Sequence, residues 1–413
     1  MFLVALCHHP ESLGGTLDEG SDVMTRRKPD TGGPHQRALS DIARVALSAP
    51  DRVNFFDEAA ERLKRAVPFD GACWHTLDPG SGLINQHHLQ DIPDRFSVLA
   101  NNEYATDDVN KFADLATSEC PAATLRAATG GRPELSARHR DLLTPAGMGP
   151  ELRSAFVVDG AVWGALILVR AANRPDFTDR DITLLADASP LFARAVRRGL
   201  VAESSESATD LLDAPGVVEF DERGDVASAS SSAGALLAEL SGTTFEDGLR
   251  VPAIHAILAS TRAALAASTS AVVPTMPSTM VKCPSGKWLV LHGSILRASH
   301  GNGFAVFIQH AHPMLVAPLL LKAYGLTTRE QQVTQLVLRG ATTAQVASRL
   351  AISSHTVSDH LKAIFDKTDA RTRGELSATL FFGQHLDRIE ARVNVGDDAS
   401  FVDTPRPRGA PDS

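Results

Sequence analysis

The chain has 413 residues, 43% of them hydrophobic and 22% charged. That is too long for one ordinary core and close to the soluble globular average, so it points to two or three domains and excludes a fibre. A formal charge of −9 excludes a protein that coats nucleic acid along its whole length, so any DNA contact has to be local.

Residues 1–35, with "ESLGGTLDEGSD" and "RRKPDTGGP", are rich in Gly, Pro and charge without a sustained period and read as a disordered leader. The opening "MFLVALC" lacks a basic flank, and no stretch reaches the roughly 18 unbroken apolar residues of a membrane span. Cys7, Cys73, Cys120 and Cys283 are scattered, with no CxxC pair and no disulfide framework. A soluble protein of the reducing cytoplasm is expected.

From 36 to 201 helical and strand patterns mix. "ALSDIARVAL" and "FFDEAAERLKRAV" have helical spacing, and "GACWHTLDP" and "GLINQHHLQ" predict two strands around a Pro-Gly-Ser-Gly turn. "SAFVVDGAVWGALILVR" predicts a hairpin with Asp159-Gly160 at its tip. A long helix follows, capped by Thr178 with Asp181 reaching back, buried through Ile182, Leu185, Phe192 and Val196, and bent at Pro190. The hairpin followed by "FTDRDITLLADASPLFARAVRRGL" resembles a GAF domain. That resemblance implies an α+β sensor that can hold a small molecule or mediate a dimer, and it fixes no ligand.

The polar seam "VAESSESATD" leads to a second α+β block at 210–315. "GVVEFDERGDVASAS" predicts a hairpin turning near Arg223-Gly224, "AGALLAEL" and "IHAILASTRAALAA" predict helices, and "MVKCPSGKWLVLHGSIL" with "GFAVFIQH" predicts three more strands. This order resembles a PAS domain.

The segment 322–390 stands apart. Between Lys322 and Arg388 nine Lys and Arg face six Asp and Glu, a local excess of three in an acidic chain. Thr327 precedes Glu330, Thr342 precedes Gln345 and Thr372 precedes Glu375, the spacing of three capping boxes, and Ser353 can cap a further helix with an incomplete box. Val333, Leu336 and Val337, then Val346, Ala347 and Leu350, then Val357, Leu361, Ile364 and Phe365 give each helix one apolar stripe. Gly340 and the short "AIS" between helices fit helix-turn-helix punctuation. A fourth helix around "ELSATLFFGQHL" carries Leu376, Leu380 and Phe381. The tail from 392 to 413 reads as disordered.

The run "LTTREQQVTQLVLRGATTAQVASRLAISSHTVSDHLKAIFDKTDARTRGEL" resembles the LuxR-type helix-turn-helix domain of bacterial transcription regulators. The resemblance implies an all-α four-helix domain that dimerises on double-stranded DNA and places the helix opened by Ser353 in the major groove. With Val357, Leu361 and Ile364 turned inward, His355, Ser358, Asp359 and Lys362 share the outward face, with Ser354 at its start, and are the expected base and phosphate contacts. Thr356, His360 and Lys367 match positions near the sugar-phosphate backbone, and Arg329 lies near the start of the first helix. Many family members carry Lys or Arg after the Thr-Val pair, whereas Ser358 and Asp359 stand here. Asp359 is repelled by phosphate but can accept a hydrogen bond from cytosine N4.

Other groupings are read as structural. His87-His88 and the pair His310 and His312 lack a third ligand nearby and are taken as surface or satisfied histidines. Cys73 beside Trp74 is taken as a buried small hydrophobe, and "CPSGKW" as a hairpin turn. No catalytic motif is present, so no catalytic residue, metal or cofactor is expected. The expected function is a non-enzymatic, DNA-binding transcription regulator under sensor control. The alternatives are an enzyme using the GAF-like pocket and a protein-interaction scaffold that keeps a helix-turn-helix fold.

Overall fold

The computed structural model describes residues 33–48, 51–202, 214–267, 276–298, 301–377, 379–380, 394–395 and 401–402. Most of the expected leader, the seam after 202 and most of the expected tail lie outside these. The chain packs as two compact units, one of residues 1–196 with 252–275 and the other of 197–251 with 276–413.

The first unit begins with α1 (Pro34–Ser48) and α2 (Arg52–Ala66), so Pro34 and His35, assigned to the leader, belong to a helix. Asp51 caps α2 through the Asn54 amide. Strands β1 (Gly71–Leu77) and β2 (Ile84–Gln90) follow, then α3 (Phe96–Ala105), α4 (Phe112–Thr117), β3 (Ala122–Thr124) and α5 (Leu125–Ala128). After three short turns of helix come β4 (Met148–Val158), β5 (Ala161–Ala171) and α6 (Asp179–Ala202). The sheet is antiparallel in the order β2-β1-β5-β4-β3. Asp159 and Gly160, at φ 52 and 71, supply the two left-handed residues that a tight two-residue hairpin needs. α6 runs through Pro190 with Leu185, Phe192 and Val196 buried; Ile182, expected in that stripe, is half-buried and Leu184 is buried instead. Thr178 and Asp181 bond each other's amides as expected.

The second unit carries β6 (Gly216–Phe220), β7 (Val226–Ala229), α7 (Ser231–Ser241) and α8 (Phe245–Arg250). The next helix, α9 (Pro252–Ala267), belongs to the first unit, where it packs on α3 and β2. The sequence reading placed it with the second block, because its apolar spacing records that it is buried and not what buries it. The chain then returns to the second unit as β8 (Ser278–Lys282), β9 (Trp288–Ala298) and β10 (Gly301–His310). This sheet runs β7-β6-β10-β9-β8, the same second-first-fifth-fourth-third order as the other. "CPSGKW" is the β8–β9 turn, closed by the Cys283 amide on the Lys287 carbonyl, with Gly286 at φ 84.

The C-terminal helices are α10 (Pro313–Ala323), α11 (Thr328–Leu338), α12 (Thr343–Leu350), α13 (Ser354–Thr368) and α14 (Arg373–Ser377). The fourth expected helix is described only over this last turn and residues 379–380, with Leu376 and Leu380 buried; Phe381 lies outside the described residues. Two residue pairs of the expected tail, β11 (Asn394–Val395) and β12 (Phe401–Val402), form a short antiparallel ladder. No helix among the described residues is long and apolar enough to cross a membrane.

Three imidazoles of the first unit are held neutral. Burial is the leading influence that lowers the pKa of His75, His87 and His255 from the usual histidine range, although Asp94 pulls the latter two back upward. Between the lowered folded value and the ordinary one near 6.5 the unfolded chain binds more protons. The stability these groups contribute is therefore complete above about pH 6.5 and is lost as pH falls through the folded values. Urea unfolding followed by tryptophan fluorescence is expected to show a lower midpoint at about pH 5.5 than at about pH 7.5, with His75→Phe narrowing the gap. Equal midpoints in the unaltered protein would contradict this.

Candidate functional site

The C-terminal helices are specified one cap at a time. Thr327 and Glu330 form a complete capping box on α11, and Thr342 with Gln345 forms another on α12. Ser353 caps α13 through the Thr356 amide, and Thr356 adds only a hydroxyl contact at 2.9 Å, so the incomplete box is as expected. The third box differs: Thr372 accepts from the Glu375 amide, but the Glu375 carboxylate returns its bond to the Arg371 amide and not to Thr372.

Val333, Val337, Val346, Ala347, Val357, Leu361, Ile364 and Leu376 are buried, while Leu336, Leu350 and Phe365 are half-buried. Opposite this seam Ser354, His355, Ser358, Asp359 and Lys362 are exposed, and Thr356 and His360 are half-buried along its edge. His355 and Asp359 lie one helical turn apart with Nε2 3.8 Å from a carboxylate oxygen.

Two of the residues expected near DNA hold the domain together. Lys367 donates to Glu330 at 2.7 Å and to the Gly325 carbonyl at 3.2 Å, joining α13 to the start of α11. Burial works against the Glu330 carboxylate, but the bonds from Lys367 and the Thr327 amide outweigh it and hold its pKa below the usual range. Arg329 donates to the Leu350 carbonyl and to Gln332. Arg373, which the sequence reading did not single out, donates to the Ala341 carbonyl and the Thr343 hydroxyl, fixing the α11–α12 turn.

The first unit contains a cavity of about 60 Å³ between its sheet and α3. Its wall is mainly apolar, including Leu89, Leu99, Leu143, Ile167 and Val169, with Cys73, His87, Asp94, Arg95 and Glu151 contributing polar groups and Phe96 its ring. A wider groove of about 380 Å³ borders it, sharing Met148 and Glu151 and adding Arg126, His139, Thr144 and Arg174. Glu151 is fully buried, and both its oxygens accept from Arg138, which also donates to Asn102 and the Val109 carbonyl. Arg153 pairs with Glu103 at 2.7 Å and stacks over Phe112. These buried pairs tie α3 and the segment before β4 to the sheet, so the cavity wall has a fixed shape.

Cys73 is buried as expected, and burial pushes its thiol pKa up, which makes it inert. His88 pairs with Asp57, His310 with Glu239 and His87 more loosely with Asp94 at 3.7 Å; the Nδ1 atoms of His87 and His310 are buried without a hydrogen-bond partner, and His87 also lines the cavity. The strand pattern gave no signal for this, because the partner that His87 lacks would have to come from elsewhere in the fold. No cluster of three or more His, Cys, Asp or Glu among the described residues is placed to hold a metal.

Residues 325–379 match the model of "Bacterial regulatory proteins, luxR family". The C-terminal module is a LuxR-type helix-turn-helix domain, the DNA-binding module of transcription regulators. No curated protein matches the chain. Among solved structures it is similar to a GAF domain/HD domain protein from Geobacter sulfurreducens, at 18% identity over 39% of this chain and 92% of that one, with a TM-score of 0.26. It is also similar to the ligand-binding domain of VqsR from Pseudomonas aeruginosa, at 16% identity over 40% and 96%, TM-score 0.27. A third is VqmA of Vibrio cholera in complex with ligand and DNA, at 21% identity over 43% and 83%, TM-score 0.22.

Ala351, which ends α12, sits at φ 52, a left-handed conformation that costs a residue with a side chain on the order of 1 kcal/mol. Ala351→Gly is expected to raise the stability of the helix-turn-helix by up to about 1 kcal/mol, and Ala351→Val to lower it by more. Thermal unfolding of the two variants checks this, and a less stable glycine variant would contradict it.

Proposed function

We propose that the protein is a cytoplasmic, non-enzymatic transcription regulator that binds double-stranded DNA as a homodimer, with α13 in the major groove, under control of a small molecule held by the first unit. The observation that carries the reading is the exposed polar stripe of α13 directly opposite the buried Val357, Leu361 and Ile364. Any amphipathic surface helix shows such a face, and what turns this one toward DNA is the match of residues 325–379 to the luxR family, whose corresponding helix is expected in the major groove.

In this reading Ser354, His355, Ser358, Asp359 and Lys362 meet base edges and phosphates, and Thr356 and His360 approach the sugar-phosphate backbone. Arg329 and Lys367 add positive charge at the rim while their internal bonds set the angle between α11 and α13. Asp359 reads cytosine N4 at a cost in general affinity. The extents proposed are 36–201 for a GAF-like sensor, to which α9 is added, the rest of 210–315 for a PAS-like domain and 322–390 for the DNA-binding module. Control passes through α9, which packs on α3 and β2 while the chain on either side of it belongs to the second unit. A ligand held by the first unit changes how the two DNA-binding modules of the dimer are spaced.

Duplex binding measured across a salt series tests the reading. Log affinity is expected to fall linearly with log salt, and Lys362→Ala to weaken all sequences alike and reduce the slope by about one. Asp359→Ala is expected to relax preference at one base pair, by about 1–3 kcal/mol. A salt-independent affinity would overturn the DNA reading, and an equal loss on every sequence from Asp359→Ala would overturn the cytosine contact.

A further inference from the structure

The long helix α6 begins in the first unit and ends in the second, since the division falls between Val196 and Arg197. Its last turn is held there. Lys282 of β8 is buried and donates to the Leu200 carbonyl at 2.8 Å, with its amine over the Trp288 ring. The final carbonyls of a helix have no partner within it, and the aligned peptide dipoles favour a cation beside them. Lysine is rarely buried without such a partner, and this one fixes where α6 stops.

Three residues before Leu200, the Arg197 guanidinium lies against Gly325, between α10 and α11. Its Nη2 and Cζ stand 3.0 and 3.3 Å from the point that a β-carbon on Gly325 would occupy, so the missing side chain is what admits it. Gly325 sits at φ 69 and closes α10 with a Schellman pair of bonds, its own amide on the Lys322 carbonyl and the Leu326 amide on the Leu321 carbonyl. The Gly325 carbonyl accepts from Lys367 of α13 at 3.2 Å, and the same amine binds Glu330 of α11. The end of α10, the start of α11 and the proposed recognition helix thus all meet at this glycine.

The connection into the DNA-binding module is not a loose tether, because Val316, Ala317, Leu319, Leu320, Leu321 and Ala323 of α10 are buried. A module carried by a packed helix keeps its freedom mainly at the residue where that helix ends. We propose that the last turn of α6 is an output lever: Arg197 braces Gly325 in the DNA-ready arrangement, and withdrawal of that turn loosens the α10–α11 joint and weakens duplex binding. The direction follows from the α13 stripe, which is exposed while Arg197 is in place. The inference rests on the DNA-binding reading and adds a second route of control beside α9.

Duplex affinity of the full chain, measured for Arg197→Ala, Gly325→Ala and the double variant, tests the brace. Arg197→Ala is expected to weaken binding about fivefold while leaving the dependence of log affinity on log salt unchanged. Gly325→Ala is expected to weaken it more when Arg197 is present than in Arg197→Ala, since only the first background sets the new methyl against the guanidinium. Should Gly325→Ala fail to fold, hydrogen exchange of Arg197→Ala without DNA gives a second readout, with faster exchange expected at the Gly325 and Leu326 amides. Unchanged or tighter duplex binding by Arg197→Ala, or unchanged exchange at those amides, would overturn the brace. A salt slope reduced by about one would overturn it too, by making Arg197 a phosphate contact. So would a Gly325→Ala effect of equal size in both backgrounds. Absence of duplex binding by the unaltered protein would remove the DNA reading and this inference with it, whereas the other contrary results remove the inference alone.

Discussion

A helix that must bury Val357, Leu361 and Ile364 has no freedom in what it leaves outside. The 3.6-residue period that sends these three into the core of the C-terminal module sets Ser354, Ser358 and Lys362 on the opposite face, one turn apart. The surrounding contacts keep that face in place. Lys367 and Glu330 join α13 to α11, Arg329 reaches the end of α12, and Arg373 holds the α11–α12 turn, so the stripe is presented by a rigid three-helix frame. Two residues that the LuxR resemblance puts near the DNA backbone are thus committed in part to the frame. A charge-assisted bond to a partly buried carboxylate is worth more to the fold than a fully solvated lysine would be.

The first unit is organised by buried ion pairs as much as by apolar packing. Replacing such pairs with hydrophobic side chains is often neutral for stability, so their contribution is better sought in geometry. Arg138 gathers Glu151, Asn102 and a backbone carbonyl, and Arg153 gathers Glu103 and Phe112. Together they fix α3 and the irregular segment before β4 against the sheet. The cavity lies between these fixed walls, and its Phe96 side meets a helix whose chain neighbours belong to the other unit. The two units share one strand order.

Much of this was legible in the residues. The capping boxes at Thr327 and Thr342, the Ser353 cap, the Asp159-Gly160 hairpin and the Cys283–Lys287 turn are local, and local hydrogen bonding decides them. The second sheet could be anticipated strand by strand for the same reason, and the first in all but β3 (Ala122–Thr124), which carried no strand pattern that was read. The packing of α9 could not, since an apolar helix carries no label for the surface that covers it. The orphaned nitrogens of His87 and His310 were hidden for a related reason: a missing bond is a property of the assembled neighbourhood. Nor did the sequence reveal that the Glu375 carboxylate returns to Arg371, which depends on how the chain enters α14.

The central claim, that the outward face of α13 lies against duplex DNA, is tested most directly by chemical protection. Full-length protein carrying Ser358→Cys, with Ala227→Cys on the exposed β7 strand as the reference site, is alkylated with and without excess duplex and read site by site by mass spectrometry. The account predicts that duplex slows labelling at position 358 severalfold and leaves position 227 unchanged. Labelling at 358 that proceeds at the same rate on saturating DNA as in its absence would contradict it.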